Sequence, residues 1–175
     1  LSDLHLITMK PVIFVCNIDE SAIGQDNDYV KAVKDIAAKE GSKVVCICGK
    51  TESEIASLDT PEERAEFLEA AGLEESGMNV LIRTAYETLG LRTFFTAGSD
   101  EDRAWTFRAG YKAPQAAGVI HTDLEKGFIK AEVYSCEDLF KYGSEAKVKE
   151  AGRLRIEGKE YIVQDGDIMH FRFNV

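Results

Sequence analysis

Two short, unbroken apolar runs, residues 12–16 (VIFVC) and 44–48 (VVCIC), flank one amphipathic segment, and that arrangement leaves few folds open. Each run is too short for a helix and carries β-branched side chains, as expected of strands covered on both faces in a parallel sheet. Between them, residues 27–39 space Tyr29, Val30, Val33, Ile36 and Ala37 at helical intervals, and Gly41 supplies a stop. Strand, helix, strand in this order is one right-handed crossover of an α/β fold. Residues 10–20 (KPVIFVCNIDE) then deliver Asn17, Ile18, Asp19 and Glu20 to a loop at the carboxyl end of a strand. Open α/β sheets place their ligand contacts there.

Farther along, Thr60, Pro61 and Glu63 read as the N-cap, first-turn proline and capping-box acid of a helix that runs to about Ala71, ahead of Gly72. Residues 79–89 (NVLIRTAYETL) form a second helix, with Val80, Leu81, Tyr86 and Leu89 as its buried stripe. From residue 91 the texture changes. Residues 91–97 and 104–107 read as a hairpin across a polar turn at 98–102, and residues 114–118 as a helical turn. Thr122, Asp123, Leu124 and Glu125 suggest another capping box, followed by a strand over 128–134 and a short helix over 136–142. Residues 160–163 and 168–173 read as two strands around the turn Asp165-Gly166-Asp167. A mixed sheet carrying one or two helices is a small α+β domain, and the boundary falls near Gly90.

Charge divides along the same line. Residues 1–102 hold 9 Lys and Arg against 20 Asp and Glu, whereas residues 103–175 hold 12 against 11. The overall balance of −10 gives no reason to expect a DNA partner, yet the last part keeps basic side chains for an RNA-facing surface. No apolar run approaches the ~20 residues that cross a bilayer, and the amino-terminal stretch lacks the basic region of a signal peptide. A cytoplasmic chain without a membrane partner is expected. Four cysteines do not make a disulfide scaffold. Cys46 and Cys48 would share one face of a strand, which points to burial, and no second Cys or His pair stands at metal-ligand spacing.

Asn-x-x-Glu at a strand end is a weak pattern alone and fits a solvated loop. Its surroundings add meaning. A strand, Asn-x-x-acid, an amphipathic helix, a second strand and the small-residue triplet Cys48-Gly49-Lys50 follow the order in which G-domain NTPases present their two base-recognition loops. In the usual first loop an Asp accepts two hydrogen bonds from guanine; here Glu20 is one methylene longer and Ile18 replaces a lysine, so guanine specificity weakens. Adenine, with a donor at N6 and an acceptor at N1, suits the Asn17 amide or the backbone of Ile18. Gly49-Lys50-Thr51 mimics the end of a phosphate-binding loop, but the first glycine of that motif would fall on Val44. Without that cradle this chain alone is not expected to hydrolyse ATP.

Asn17-Ile18-Asp19-Glu20, residues 37–45 (AAKEGSKVV), 104–133 (AWTFRAGYKAPQAAGVIHTDLEKGFIKAEV) and 150–175 (EAGRLRIEGKEYIVQDGDIMHFRFNV) together resemble the YchF/Obg-like ATPase family of translation-factor-related P-loop NTPases. The resemblance covers essentially the whole chain and is most specific in the last two stretches. It implies a fold made of the C-terminal half of a G domain (11–76), with parallel strands, a connecting helix (77–90) and a ubiquitin-like β-grasp TGS domain (91–174). Residues 1–10 would be the end of a helical insertion, and the upstream half, with the phosphate-binding loop, switches and magnesium ligands, would be missing from a chain that opens on Leu1.

The function implied is part of a ribosome-associated, redox- and translation-linked ATPase that prefers ATP to GTP, with Mg2+ bound by residues outside this chain and no metal site within it. Asn17, Ile18, Glu20, Cys48, Gly49 and Lys50 would contact the base. His121, Lys126, Lys130, Arg153 and Arg155, with Lys147 and Lys149 beside them, are the side chains available for ribosomal RNA. The alternatives are a non-catalytic RNA- or protein-binding TGS module and a GTP-binding protein. Trp105, Phe94 and Phe95 are expected in the core.

Overall fold

The structure, a computed structural model, describes residues 2–98 and 101–174, and its chain divides into two compact units, Leu1–Leu89 and Gly90–Val175. In the first, residues Ser2–Leu4 and Ile7–Met9 form short 3-10 turns and Pro11 precedes strand β1, Ile13–Asn17. Helix α1, Asp28–Glu40, starts where the Asn27 side chain accepts from Val30 N–H at 2.9 Å and stops at Gly41, whose φ of 69° closes the last turn. Strand β2, Lys43–Ile47, returns parallel to β1 in a register that pairs Phe14 with Val44 and Asn17 with Ile47. Both apolar runs are thus strands of an α/β unit.

Gly49-Lys50-Thr51 does not form a loop. β2 runs into helix α2, Gly49–Ala56, and Val44, where a phosphate-binding loop would need glycine, lies inside the strand. Helix α3, Pro61–Ala70, carries the expected capping box between Thr60 and Glu63. Helix α4, Gly77–Thr88, packs on β1 and β2, but its inner stripe differs from the expected one. Val80, Leu81, Thr84, Ala85 and Thr88 are half-buried, whereas Tyr86 and Leu89 are exposed. Three small or polar residues, Thr84, Ala85 and Thr88, occupy inward positions, and a search for large apolar residues misses them.

The second unit is a five-stranded mixed sheet in the order β4-β3-β7-β5-β6, built from β3 (Leu91–Thr96), β4 (Arg103–Arg108), β5 (Phe128–Ser135), β6 (Arg155–Glu157) and β7 (Asp167–Phe173). The β3–β4 pair is the expected hairpin; Ser99 and Asp100 of its turn lie outside the described residues. Helices α5 (Ala113–Ile120) and α6 (Thr122–Lys126) follow β4, while α7 (Cys136–Tyr142) and α8 (Glu145–Glu150) follow β5. Adjacent in sequence, Phe94 and Phe95 point to opposite faces. Phe94 joins a core with Phe107, Ala116, Val133 and Met169, against which Trp105 packs, and Phe95 packs on Tyr134, Val148 and Ile168.

Two local expectations are overturned here. Residues 160–163 do not pair with β7: Ile162 bridges Lys112, Val163 N–H donates to Tyr111 O, and Ala113 N–H donates to Tyr161 O. The Asp165-Gly166 turn is instead tied to β3, with Thr93 N–H donating to the Asp165 carboxylate at 2.7 Å and Gly166 N–H donating to Thr93 O. β7 therefore fills the slot between β3 and β5 rather than folding back on its predecessor. The cap of α6 also shifts by one residue, because His121 Nδ1, not the Thr122 hydroxyl, accepts from Asp123 N–H at 3.2 Å.

Candidate functional site

Parallel pairing of β1 and β2 brings their carboxyl ends level, so the chain segments that leave them meet. Asn17, the last residue of β1, turns its Oδ1 to accept Gly49 N–H at 3.0 Å, which satisfies a free donor at the first turn of α2. This bond fixes the side-chain amide: Oδ1 is engaged, and the Nδ2 hydrogens remain for a ligand. Ile18 N–H is also committed, to Ile47 O at 2.9 Å, so of its backbone groups only the carbonyl is left. The expectation that Ile18 contributes backbone contacts narrows to that one acceptor.

Glu20 opens a 3-10 turn, Glu20–Ala22, and its carboxylate takes Lys50 Nζ at 2.7 Å from the start of α2. Glu54 stands 3.9 Å from the same ammonium. Asn17, Ile18, Asp19, Glu20, Ser21, Cys48 and Lys50 together line an open cavity of about 440 Å³. Five of the six residues expected to contact a base share this wall, and the sixth, Gly49, lies behind it on the Asn17 amide. A Cβ on Gly49 would come within 3.3 Å of Asn17 Oδ1, so a small residue there lets the two loops approach.

Electrostatics follow from these contacts. Glu20, hydrogen-bonded to Lys50 and close to it, raises the lysine pKa and holds the ammonium charged. The hydroxyl and N–H of Thr51 lower the pKa of the buried Cys48 thiol. Cys46, behind the strand end, has a thiol that burial pushes up. The cavity therefore offers one amide donor, one backbone carbonyl, the Asp19 carboxylate, the Ser21 hydroxyl and the Glu20–Lys50 ion pair. That chemistry suits a flat heteroaromatic ligand rather than a polyanion. Neither a glycine-rich loop before a helix nor a cluster of three metal-ligating side chains occurs among the described residues.

The five side chains singled out for RNA do not form one surface of free charge. Arg153 is paired with Asp138 at 3.1 Å, and Arg155 lies 3.6 Å from the buried Asp167 and 3.7 Å from Glu157. His121 faces Asp123 at 3.4 Å. Lys126 ends α6, and Lys130 lies on β5 near Glu132. A count of basic residues carries no information about these acidic partners: Asp123 and Glu157 are sequence neighbours, while Asp138 and Asp167 are brought to Arg153 and Arg155 by the fold. The carboxyl of Glu52 was not anticipated either: it accepts Gly77 N–H at 2.7 Å and Met78 N–H at 3.2 Å and so caps α4. No helix of the described residues is long and apolar enough to cross a membrane.

Comparison with known proteins places these features. Residues 91–174 match the family model YchF-GTPase_C, described as a protein of unknown function (DUF933). The chain is 52% identical over 177 residues to the ribosome-binding ATPase YchF of Bacillus subtilis and 53% identical over 175 residues to that of Haemophilus influenzae. In each case all of this chain aligns with 48% of the relative, so the chain spans about half the length of the curated relatives it matches. The solved YchF GTPase of Schizosaccharomyces pombe superposes with a TM-score of 0.80 at 38% identity, over 97% of this chain and 45% of that one. A GTP-binding protein of Pyrococcus horikoshii shares the fold at a TM-score of 0.60 and 18% identity. The chain belongs to the YchF/Obg-like family and corresponds to the C-terminal portion of its members.

Proposed function

We propose that this chain supplies the base-recognition wall and the C-terminal module of a ribosome-associated ATPase. Residues 11–76 act as the second half of a G domain and residues 91–174 as a TGS domain, with 77–90 as the connecting helix. The observation that carries this reading is the Asn17 Oδ1 to Gly49 N–H bond, which joins the two loop segments around a cavity of about 440 Å³. The free Asn17 amide donates to a purine ring nitrogen. The Ile18 carbonyl accepts from the adenine N6 amino group and repels the guanine O6 carbonyl. The likeness to proteins named ribosome-binding ATPase supports both halves of the proposal. ATP, with magnesium held by residues outside this chain, is the ligand.

Calorimetric titration of the full-length protein with ATP and with GTP tests the reading. ATP binds more tightly, and a clear preference for GTP would overturn the role given to Asn17 and Ile18. Ribosome association is tested by co-sedimentation across a salt series, with binding that weakens as salt rises.

A further inference from the structure

The Glu20–Lys50 ion pair that lines the cavity has a consequence for selectivity. By its place in the Asn-x-x-Glu loop, Glu20 corresponds to the carboxylate that accepts the two donors on the Watson–Crick edge of guanine in the usual loop, yet one of its oxygens is already taken by Lys50 at 2.7 Å. We infer that Lys50 is a specificity-determining residue, which disfavours guanine by occupying the Glu20 carboxylate. This inference rests on the base-binding role proposed for the cavity.

Three observations carry it. Lys50 sits in the first turn of α2, which the Asn17–Gly49 bond pins to the end of β1, so its ammonium is delivered to Glu20 by the same contact that builds the wall. In the open cavity both side chains are largely exposed, at 67% and 51%, and an exposed pair is worth little on its own. A base entering the cavity displaces water, and the attraction between the two charges strengthens as the local dielectric falls. Bidentate reading of guanine would break the pair at that moment and leave the ammonium to Glu54 alone, 3.9 Å away. Adenine asks nothing of a carboxylate at its Watson–Crick edge, so it enters with the pair intact. The ion pair thus discriminates by what it withholds rather than by a contact it makes.

Lys50→Met tests this, because it keeps the side-chain stem and removes the charge from an exposed helical position. The readout is the ratio of ATP to GTP dissociation constants of the full-length protein, which cancels any general loss of phosphate attraction. Lys50→Met raises GTP affinity relative to ATP by about tenfold, the yield of one freed charge-assisted bond. The double variant Lys50→Met with Glu20→Gln restores the parent ratio, since an amide cannot accept both guanine donors. An unchanged ratio in Lys50→Met, in a parent that prefers ATP, overturns the role of Lys50 and leaves the base-binding wall standing. A parent that prefers GTP, or binds neither nucleotide, overturns the wall itself and this inference with it.

Discussion

At the scale of single residues, Asn17 holds two roles on one amide, and substitution separates them. Its oxygen joins the strand ends and its nitrogen is left for a ligand. Asn17→Asp keeps an acceptor for Gly49 N–H but removes the donor; stability stays within about 0.5 kcal/mol, while ATP affinity falls at least tenfold. Asn17→Ala loses both, with about 1 kcal/mol of stability lost as well. Urea melts and calorimetry on the two variants read the roles independently. Tyr134 makes a different case. It is 1% exposed, donates to the Glu145 carboxylate at 3.3 Å, and has its pKa pushed up to about 12 by burial first and the neighbouring anion second. An acid whose folded pKa exceeds its unfolded value, about 10 for tyrosine, keeps its proton in the folded state while the unfolded chain loses it. Stability from this group is therefore complete below pH ~10 and falls by up to about 1.4 kcal/mol per pH unit between ~10 and ~12. Tyr134→Phe removes this group's share of the alkaline loss measured by urea melts, while Tyr161, whose pKa burial also pushes up to about 12, keeps its own.

Among the elements, α4 shows how closely neighbouring structure can dictate a residue. Gly77 opens the helix, and a Cβ there would lie 2.5 Å from Ile47 Cγ2 and 3.0 Å from the Glu52 carboxylate that caps the first turn. Gly77→Ala therefore costs about 1–3 kcal/mol despite alanine's better helix propensity, and it loosens β2 as well as α4. Hydrogen exchange at Ile47 and Met78 amides reports the loss, and equal or slower exchange would show that the strand yields freely. Nothing in the residues around Gly77 marks this contact, since Ile47 and Glu52 reach it through the fold. The local signals were legible for the same reason in reverse. Asn27, Gly41 and Thr60-x-x-Glu63 act within one turn of themselves, so their caps stand in the sequence as in the structure. The strands β1 and β2 were legible from continuous apolar runs, and Asn17 from its place at a strand end. What the sequence could not show was partnership at a distance: the use of Asn17 Oδ1 by Gly49, the pairing of Arg153 and Arg155, and the tie between Asp165 and Thr93 that overrode a hairpin turn.

For the whole molecule, the two units differ in what they bury, and that difference sets the order in which they unfold. The second unit closes a five-stranded sheet over Phe94, Phe107, Val133 and Met169, with a further cluster of Tyr134, Val148 and Ile168. The first has a two-stranded sheet, buries Val30, Ala37, Val45, Cys48 and Ile55, and leaves Val12, Val15, Tyr29 and Ile36 exposed. Two strands with few buried side chains are marginal by themselves, whereas five strands with helices hold a core. The 175-residue chain studied alone should therefore lose its first unit at lower urea than its second. The sequence contains a single tryptophan, Trp105, and it lies in the second unit, so its fluorescence follows that unit while far-UV circular dichroism follows both. Circular dichroism is expected to change in two steps and fluorescence only in the later one, at a midpoint that residues 90–175 reproduce in isolation. Coincident single transitions by both probes would mean that the units unfold as one and that the small core of the first is sustained by the second.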